Sequence, residues 1–504
     1  MKCHKDRILF LLIAIATMTA QVIANDYPPY VPTSKLPNST VYLPLPPDSA
    51  SSAIMTSDFA QWVWGNSIRY TERGQLASKD SKYGISRMVE IYSGILELNI
   101  NEEETPAIYR LMYRAGFIAS DGVSMMKIAH FRKRPFVQMN TSVWGSNDYA
   151  PTLRNSSSYP SSHAALGWGV ALTLAEMVPT LQDTILRRGF DYGQSRVIVG
   201  VHWQSDVDAA RMCASAAIAR VHNEQDYIDD LLAAREEYLR LKGLTVSDIM
   251  ASYPDSKKIL DPPPSTSDYT FPGDAAQYWL AKSERTGERG EQAILDTSLN
   301  DDKMLASFAP LVDVPLNESE APSIVMLLKV SKLMLSTISP NVKEGWSRQR
   351  PFRHFVDNTL LPSQESLLSN TSSYPSEHAL VGWGVALILA QLMPSCQDQI
   401  LKRGYDYGWS SVISGFAYPT DVHAGRVMAD CALVTLRNNT IFNNLLASAQ
   451  TEYAQLKAEQ GVEHIVSEST KNPQAWYSLT GVIFSSRPSH PGIYIHSGQK
   501  VVIK

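Results

Sequence analysis

The sequence predicts an all-α fold of two tandem helical-bundle domains, ending in a short β-hairpin tail. Three observations carry this: a long segment occurs twice, apolar residues in both copies recur at helical spacing, and strand signals appear only near the C-terminus. Asn155 to Arg211 begins NSSSYPSSHAALGWGVAL and Asn370 to Arg426 begins NTSSYPSEHALVGWGVAL, with well over half of the positions identical across the pair. The match extends back, where Asp58, Arg69, Arg73, Gly74, Ala77 and Asp80 answer Asp274, Arg285, Arg289, Gly290, Ala293 and Asp296. It extends forward to a last helix, where Leu231, Leu232 and Tyr238 answer Leu445, Leu446 and Tyr453. Each copy is about 200 residues long, the size of a whole domain and far beyond a solenoid repeat, so the chain is a tandem duplication.

The elements follow in chain order. Residues 1–24 hold a basic stretch (Lys2, Lys5, Arg7), an apolar run from Ile8 to Met18 and small or apolar residues at Val22 to Ala24. That is the pattern of a secretory signal peptide, and it places the mature chain in the periplasm or outside the cell. The apolar run is too short to span a bilayer, and no other segment is expected to span. The first domain occupies residues 43–245 and is opened by Pro46-Pro47; the second occupies 258–457, after a linker marked by Ser252-Tyr253-Pro254 and Pro262-Pro263-Pro264. Within the units, Ala164 to Met177 and the charged, Leu-rich stretch Tyr227 to Leu241 have helical periodicity. In the tail, residues 470–504, Gly492 to Ile495 and Val501 to Ile503 flank a turn at Gly498 and predict a hairpin. The tail's YSLTG opening and GIYIHSGQKVVIK ending resemble the C-terminal tails of exported proteins from some Gram-negative anaerobes, which makes it a candidate export or sorting segment.

Composition narrows the function. A 504-residue chain with 44% hydrophobic and 19% charged residues buries a sizeable core. A net charge of -5 without long like-charge blocks gives no electrostatic footprint for nucleic acid or an anionic membrane, which directs attention to a small-molecule substrate. Once Cys3 leaves with the signal, Cys213, Cys396 and Cys431 remain, an odd number that excludes a dense disulfide framework and leaves open a Cys396–Cys431 pair.

Three blocks in the first unit carry chemistry: Lys127 with Arg134-Pro135, then Pro160-Ser161-Ser162-His163, then Ser195-Arg196 followed by His202 and Asp206. Lys127, Arg134 and Arg196 supply three cations, two of them guanidiniums able to clamp phosphoryl oxygens in pairs. Ser161 and the backbone around Ser162, at the start of the following helix, add donors where the helix dipole favours an anion. His202 and Asp206 are spaced to share a helix face, so the carboxylate accepts from one ring nitrogen and leaves the other free to attack. His163 is then the acid that protonates the leaving oxygen. Arg132 and Lys133 are expected to be a solvated basic surface. No cluster with metal-ligand spacing is visible, so neither metal nor cofactor is expected.

These blocks resemble the K-x6-RP, PSGH and SR-x5-H-x3-D signature of the bacterial class A nonspecific acid phosphatases, which share a fold with type 2 phosphatidic acid phosphatases and vanadium haloperoxidases. The Pro-rich openings and the R-x3-RG-x2-A-x2-D segments extend the resemblance over both units. It implies metal-independent hydrolysis of phosphomonoesters at acidic pH, with His202 as the phosphorylated nucleophile, His163 as general acid and Asp206 as orienting partner. It also implies Lys127, Arg134, Ser161, Ser162 and Arg196 as phosphate ligands. Ser162 departs from the family, standing where a glycine is usual and adding a Cβ beside the phosphate.

The second unit keeps Lys343, Arg350, Ser376, His378 and Asp421 but has Ala417 at the nucleophile position and Ser411 for the third-block arginine. Glu377 sets a carboxylate near the expected phosphate oxygens. This site is expected to be inactive, and the duplicated unit to act as a built-in pseudo-dimer partner, with a homo-oligomer as the other arrangement. Two competing readings use the same residues: a vanadate-dependent haloperoxidase, and an inert phosphate-binding or interaction protein.

Overall fold

The computed structural model describes residues 27–47, 53–145, 150–250 and 253–503; the signal segment expected at residues 1–24 lies outside the described residues. The fold is two helical bundles and a small sheet, as the repeat predicted. In the first unit the helices that matter to the site are α1 (Ala53–Ser67), α2 (Pro106–Asp121), α3 (Ser124–Ala129), α4 (Ser162–Met177), α5 (Gln182–Ile198), α6 (Gln204–Val221) and α7 (Gln225–Lys242). Their counterparts in the second unit include α8 (Phe271–Lys282), α9 (Pro322–Lys343), α10 (Glu377–Leu392), α11 (Gln397–Ile413), α12 (Pro419–Arg437) and α13 (Thr440–Lys471).

Helix α4 is buried on every side from His163 to Met177, because glycines let its neighbours approach on opposite faces. A Cβ on Gly167 would lie 2.3 Å from the Tyr192 ring of α5, and one on Gly169 would lie 2.2 Å from the Ala119 methyl of α2. In α10, Gly382 against Tyr407 and Gly384 against Leu335 make the same two approaches. The α4 core is therefore close-packed at two points where no side chain fits.

The units meet through reciprocal contacts. The segment before each bundle lies on the other bundle: the Asn38 amide donates to Asp398 at 2.8 Å, and the Asp255 amide donates to Asp183 at 3.1 Å. Helices α1 and α8 cross with Ser57 against Gly273. Between the units lies a cavity of about 480 Å³ whose walls pair Tyr159 with Tyr374, Phe190 with Tyr405 and Ser205 with Thr420. At the centre, Trp168 Nε1 donates to one oxygen of Asp430 at 2.9 Å and Trp383 Nε1 donates to the other at 3.0 Å.

Several expectations are corrected in detail. Helix α13 runs past residue 457 to Lys471; the hairpin expected about Gly498 forms, and two further short strands extend it to a four-stranded antiparallel sheet. Its order is β2-β1-β3-β4, from β1 (Trp476–Ser478), β2 (Ile483–Phe484), β3 (Gly492–His496) and β4 (Gln499–Ile503). Trp476 stacks on His496, and Ala475, Tyr477 and Ile495 pack on Ile465 near the end of α13. Ser497 and Gly498, both at positive φ, form the tight turn between β3 and β4. Helix α9 is long and apolar enough by length and composition to cross a membrane, against the expectation for the region after the signal. It is 44% buried and stands in its unit where α2 stands in the first, with Ile324, Leu328 and Leu335 in the core. Among the described residues Cys213, Cys396 and Cys431 are free thiols, so Cys396 and Cys431 are not paired.

Burial pushes the Asp430 carboxyl up to about 7, against the hydrogen bonds from the two tryptophans. An aspartate in an unfolded chain titrates near 4, so the folded form holds its proton between about pH 4 and pH 7 while the unfolded form releases it. Asp430 therefore stabilises the paired units fully below about pH 4 and loses that contribution as pH rises to about 7, by ~4 kcal/mol at most. Thermal melts across that range should show a decline that Asp430→Asn flattens; an equal decline in the variant would remove Asp430 as its source.

Candidate active site

The first-unit residues singled out in the sequence converge. His202 sits between α5 and α6, and Asp206, in the first turn of α6, caps that helix by accepting from the Trp203 amide at 2.8 Å. The same carboxylate oxygen accepts from His202 Nδ1 at 3.2 Å. Arg134 Nη1 lies 2.8 Å from His202 Nε2. A guanidinium only donates, so Nε2 is the acceptor and Nδ1 carries the proton. The arrangement fixes the tautomer whose Nε2 lone pair faces the cations.

Lys127 on α3 and Arg134 converge on one carbonyl, that of Ser157, at 2.8 and 3.2 Å. Ser161 is the N-cap of α4: its hydroxyl accepts from the Ala164 amide at 3.2 Å, and its own amide donates to the Asp206 carbonyl at 3.0 Å. That tie joins the start of α4 to the start of α6, and the first-turn amides of a helix are donors without partners in their own helix. His163 stacks on Tyr192 with centroids 4.4 Å apart and donates from Nε2 to the Asp80 carbonyl at 2.7 Å, which leaves Nδ1 to take up a proton.

Arg196 on α5 is the outlier. It is buried, yet its Nε and Nη1 have no hydrogen-bond partner and it forms no ion pair among the described residues. A buried guanidinium without a counter-charge is costly unless an anion completes it. Burial lowers Arg196 and Arg134 each to about 10 and, with the Arg134 charge adding, lowers Lys127 to about 7. Burial and then the Arg196 charge hold His163 well below the usual histidine range; burial and then Arg134 do the same for His202, against the pull of Asp206. Burial opposes ionisation of Asp206, but Arg132 beside it and its bond to His202 keep it well below the usual carboxylate range. Five basic groups thus cluster here, and Asp206 is the carboxylate bonded to one of them, His202.

Arg132 is not the solvated surface residue expected from its run of basic neighbours. It is buried, its Nη1 donates to Asp206 and its Nη2 to Asp58, both at 2.6 Å. Asp58 and Arg132, which tie to Asp206, were not among the site residues singled out in the sequence. The signal was there, since Asp58 recurs as Asp274 and Arg132 as Arg348.

The second site keeps its frame and loses its contents. Arg348 bridges Asp421 and Asp274 at 2.6 Å each, and Asp421 still caps its helix through the Tyr418 amide at 2.7 Å. Ala417 is buried with Ala293, Val412, Ile413 and Val422, so the nucleophile position is apolar core. Ser411 donates to the Gly408 carbonyl at 2.7 Å, 3.5 Å from Ser376, the N-cap of α10. His378 donates to the Thr297 carbonyl at 3.0 Å, while burial lowers Lys343 and Arg350 against the opposing pull of Asp421 and then Glu377.

Residues 109–230 and 324–443 each match the sequence pattern of the PAP2 superfamily. A non-specific acid phosphatase of Providencia stuartii is 37% identical over 214 residues, which cover 42% of this chain and 86% of that relative. The chain belongs to the PAP2 superfamily. A non-specific acid phosphatase of Salmonella typhimurium is 33% identical over 234 residues, 46% of this chain and 90% of its own length. An acid phosphatase of Zymomonas mobilis is 31% identical over 215 residues, 42% of this chain and 81% of its own length. The relatives match less than half of this chain but most of themselves, as a PAP2 protein carrying the domain twice requires.

Arg196→Met should separate function from stability at this PAP2 site. It removes an unpaired buried charge, so the melting temperature without ligand should rise by a few degrees, while inorganic phosphate or vanadate binding weakens by roughly 10- to 100-fold. A lower melting temperature with unchanged anion affinity would show that Arg196 is a structural residue.

Proposed function

We propose that the first unit hydrolyses phosphomonoesters through a phosphohistidine at His202, and that the second unit turns over no substrate. The observation that carries the reading is the buried Arg196, whose Nε and Nη1 have no partner among the described residues, together with Arg134 on Nε2 of a histidine whose Nδ1 is held by Asp206.

A phosphoryl group in that space is clamped by Arg134 and Arg196, with Lys127 and the α4 amides on its remaining oxygens. Nε2 of His202 attacks phosphorus and forms the P–N bond as the P–O bond to the leaving group breaks. Asp206 holds the ring and stabilises the charge it acquires. His163, whose pKa rises once the phosphate dianion offsets Arg196, delivers its proton to the leaving oxygen. It then takes a proton from the water that attacks the phosphohistidine, and His202 leaves with inorganic phosphate formed. The reading needs no metal, and EDTA should leave the rate unchanged. We further propose that the protein acts in the periplasm or outside the cell, on the signal-peptide pattern of residues 1–24.

In the second unit, Ala417 has no nucleophilic atom and Ser411 no guanidinium. His202→Ala should therefore remove turnover by roughly 10³- to 10⁶-fold, whereas His378→Ala should change it little. Retained activity in His202→Ala that falls on adding His378→Ala would place catalysis in the second unit.

The pH profile follows from the site's charges. A depressed His202 stays neutral, and so nucleophilic, into the acid range, while Lys127 at about 7 loses its charge as pH rises through neutrality. kcat/KM should be bell-shaped with its maximum on the acid side, and Lys127→Arg should carry the alkaline limb upward. An optimum in the alkaline range would contradict the assignment.

A further inference from the structure

We propose that the degenerate second unit holds the first unit's nucleophile in place, through a buried relay running from the unit interface by way of Asp58, Arg132 and Asp206 to His202. The proposal rests on the reading of His202 as nucleophile, and it gives the second unit a part in catalysis at a site it does not touch.

Each link is buried, and those up to Asp206 are short. One Asp58 oxygen accepts from Arg132 Nη2 and from the Ser205 hydroxyl, both at 2.6 Å, and the other accepts from the Ser205 amide at 2.8 Å. Arg132 Nη1 donates to Asp206 Oδ1 at 2.6 Å and to the Ser205 hydroxyl at 2.8 Å. Asp206 Oδ2 is left for His202 Nδ1 and the Trp203 amide. Asp58, Arg132 and Asp206 are 1%, 5% and 0% exposed, so water screens the coupling little.

The relay begins where the units touch. Asp58 lies on α1, and its neighbour Ser57 meets Gly273 of α8 so closely that a Cβ on Gly273 would stand 2.5 Å from Ser57 Cα and 2.9 Å from its nitrogen. Only a hydrogen fits there. The repeat makes this contact self-paired, since Gly273 is the second unit's counterpart of Ser57, as Asp274 is of Asp58. The interface thus presses on the turn of α1 that aims Asp58 at Arg132. Arg132 and Asp58 are positioning residues, because neither reaches the reacting atoms.

The groups that set the charge at His202 are Arg134 and Lys127 on the phosphate side, His163 across the site, and Asp206 with Arg132 and Asp58 behind it. Replacing Asp58 by Asn removes a negative charge and leaves Arg132 to act on Asp206 alone. Both effects favour neutral His202, so its titration should move to lower pH by roughly half a pH unit. Gly273→Ala, which pushes Ser57 and loosens Asp58 from Arg132, should move it in the same direction and lower kcat several-fold. Gly461→Ala, whose Cβ would meet nothing within 4 Å, is the control on the second unit.

Two readouts on the full chain test this: the acid limb of kcat for an aryl phosphate, and the His202 titration followed by NMR of ¹³C-labelled histidine. The expected result is a downward move of both in Asp58→Asn and Gly273→Ala, with Gly461→Ala matching the wild type. Rate losses without any change in the His202 titration, or unchanged rates in both variants, would overturn the relay. If the wild type hydrolyses no aryl phosphate, the proposed function fails instead, and the NMR titration still decides the relay.

Discussion

Asp206 is satisfied from three directions in a pocket closed to water: its own helix start, the imidazole of His202 and the guanidinium of Arg132. A buried carboxylate is tolerated only with such a set of partners, and removing any one leaves the others unpaired. The start of α6, the conformation of the loop carrying His202 and the seating of Arg132 between two aspartates follow from that one constraint. The Asp206 carbonyl also accepts the Ser161 amide, so the cap of α4 and its first turn depend on the same residue.

The second unit shows which part of this arrangement belongs to folding. Asp421 keeps the helix cap and the Arg348 bridge although no histidine is opposite it, and Arg348 still joins Asp421 to Asp274. Where the first unit has the histidine, the methyl of Ala417 joins an apolar cluster. Loss of the third arginine relieves a buried cation that only a bound anion would balance. The frame is held by packing and by the paired charges, and the buried Arg196, with two unpartnered nitrogens, is an addition to it that carries an energetic cost.

Much of this was legible in the sequence. The repeat, with apolar positions at helical spacing, is a local signal, and α4 and α7 lie where Ala164–Met177 and Tyr227–Leu241 indicated. The eight first-site residues could be proposed from the sequence because their chemistry is specific and their spacing resembles a family pattern. What escaped depends on partners distant in the chain. Arg132 looks like a surface cation in a basic run, and only Asp58 and Asp206 make it a buried one. Asp430 stands where the first unit has Ser215, and its place between Trp168 and Trp383 comes from how the units pair. The reciprocal seating of the segments around Asn38 and Asp255 is likewise a property of the assembled pair. The tail's first two strands are three and two residues long, too short to give an alternating pattern.

The central claim is that one histidine in a chain with two copies of the site carries the phosphoryl group, and its covalent stoichiometry tests that most directly. Rapid quenching of the full chain with an aryl phosphate, held away from acid where phosphohistidine is lost, followed by mass spectrometry of intact protein and peptides, counts and locates the adduct. The account predicts a single phosphoryl group per chain, on the peptide bearing His202. Two groups per chain, or one carried by any other residue, would contradict it.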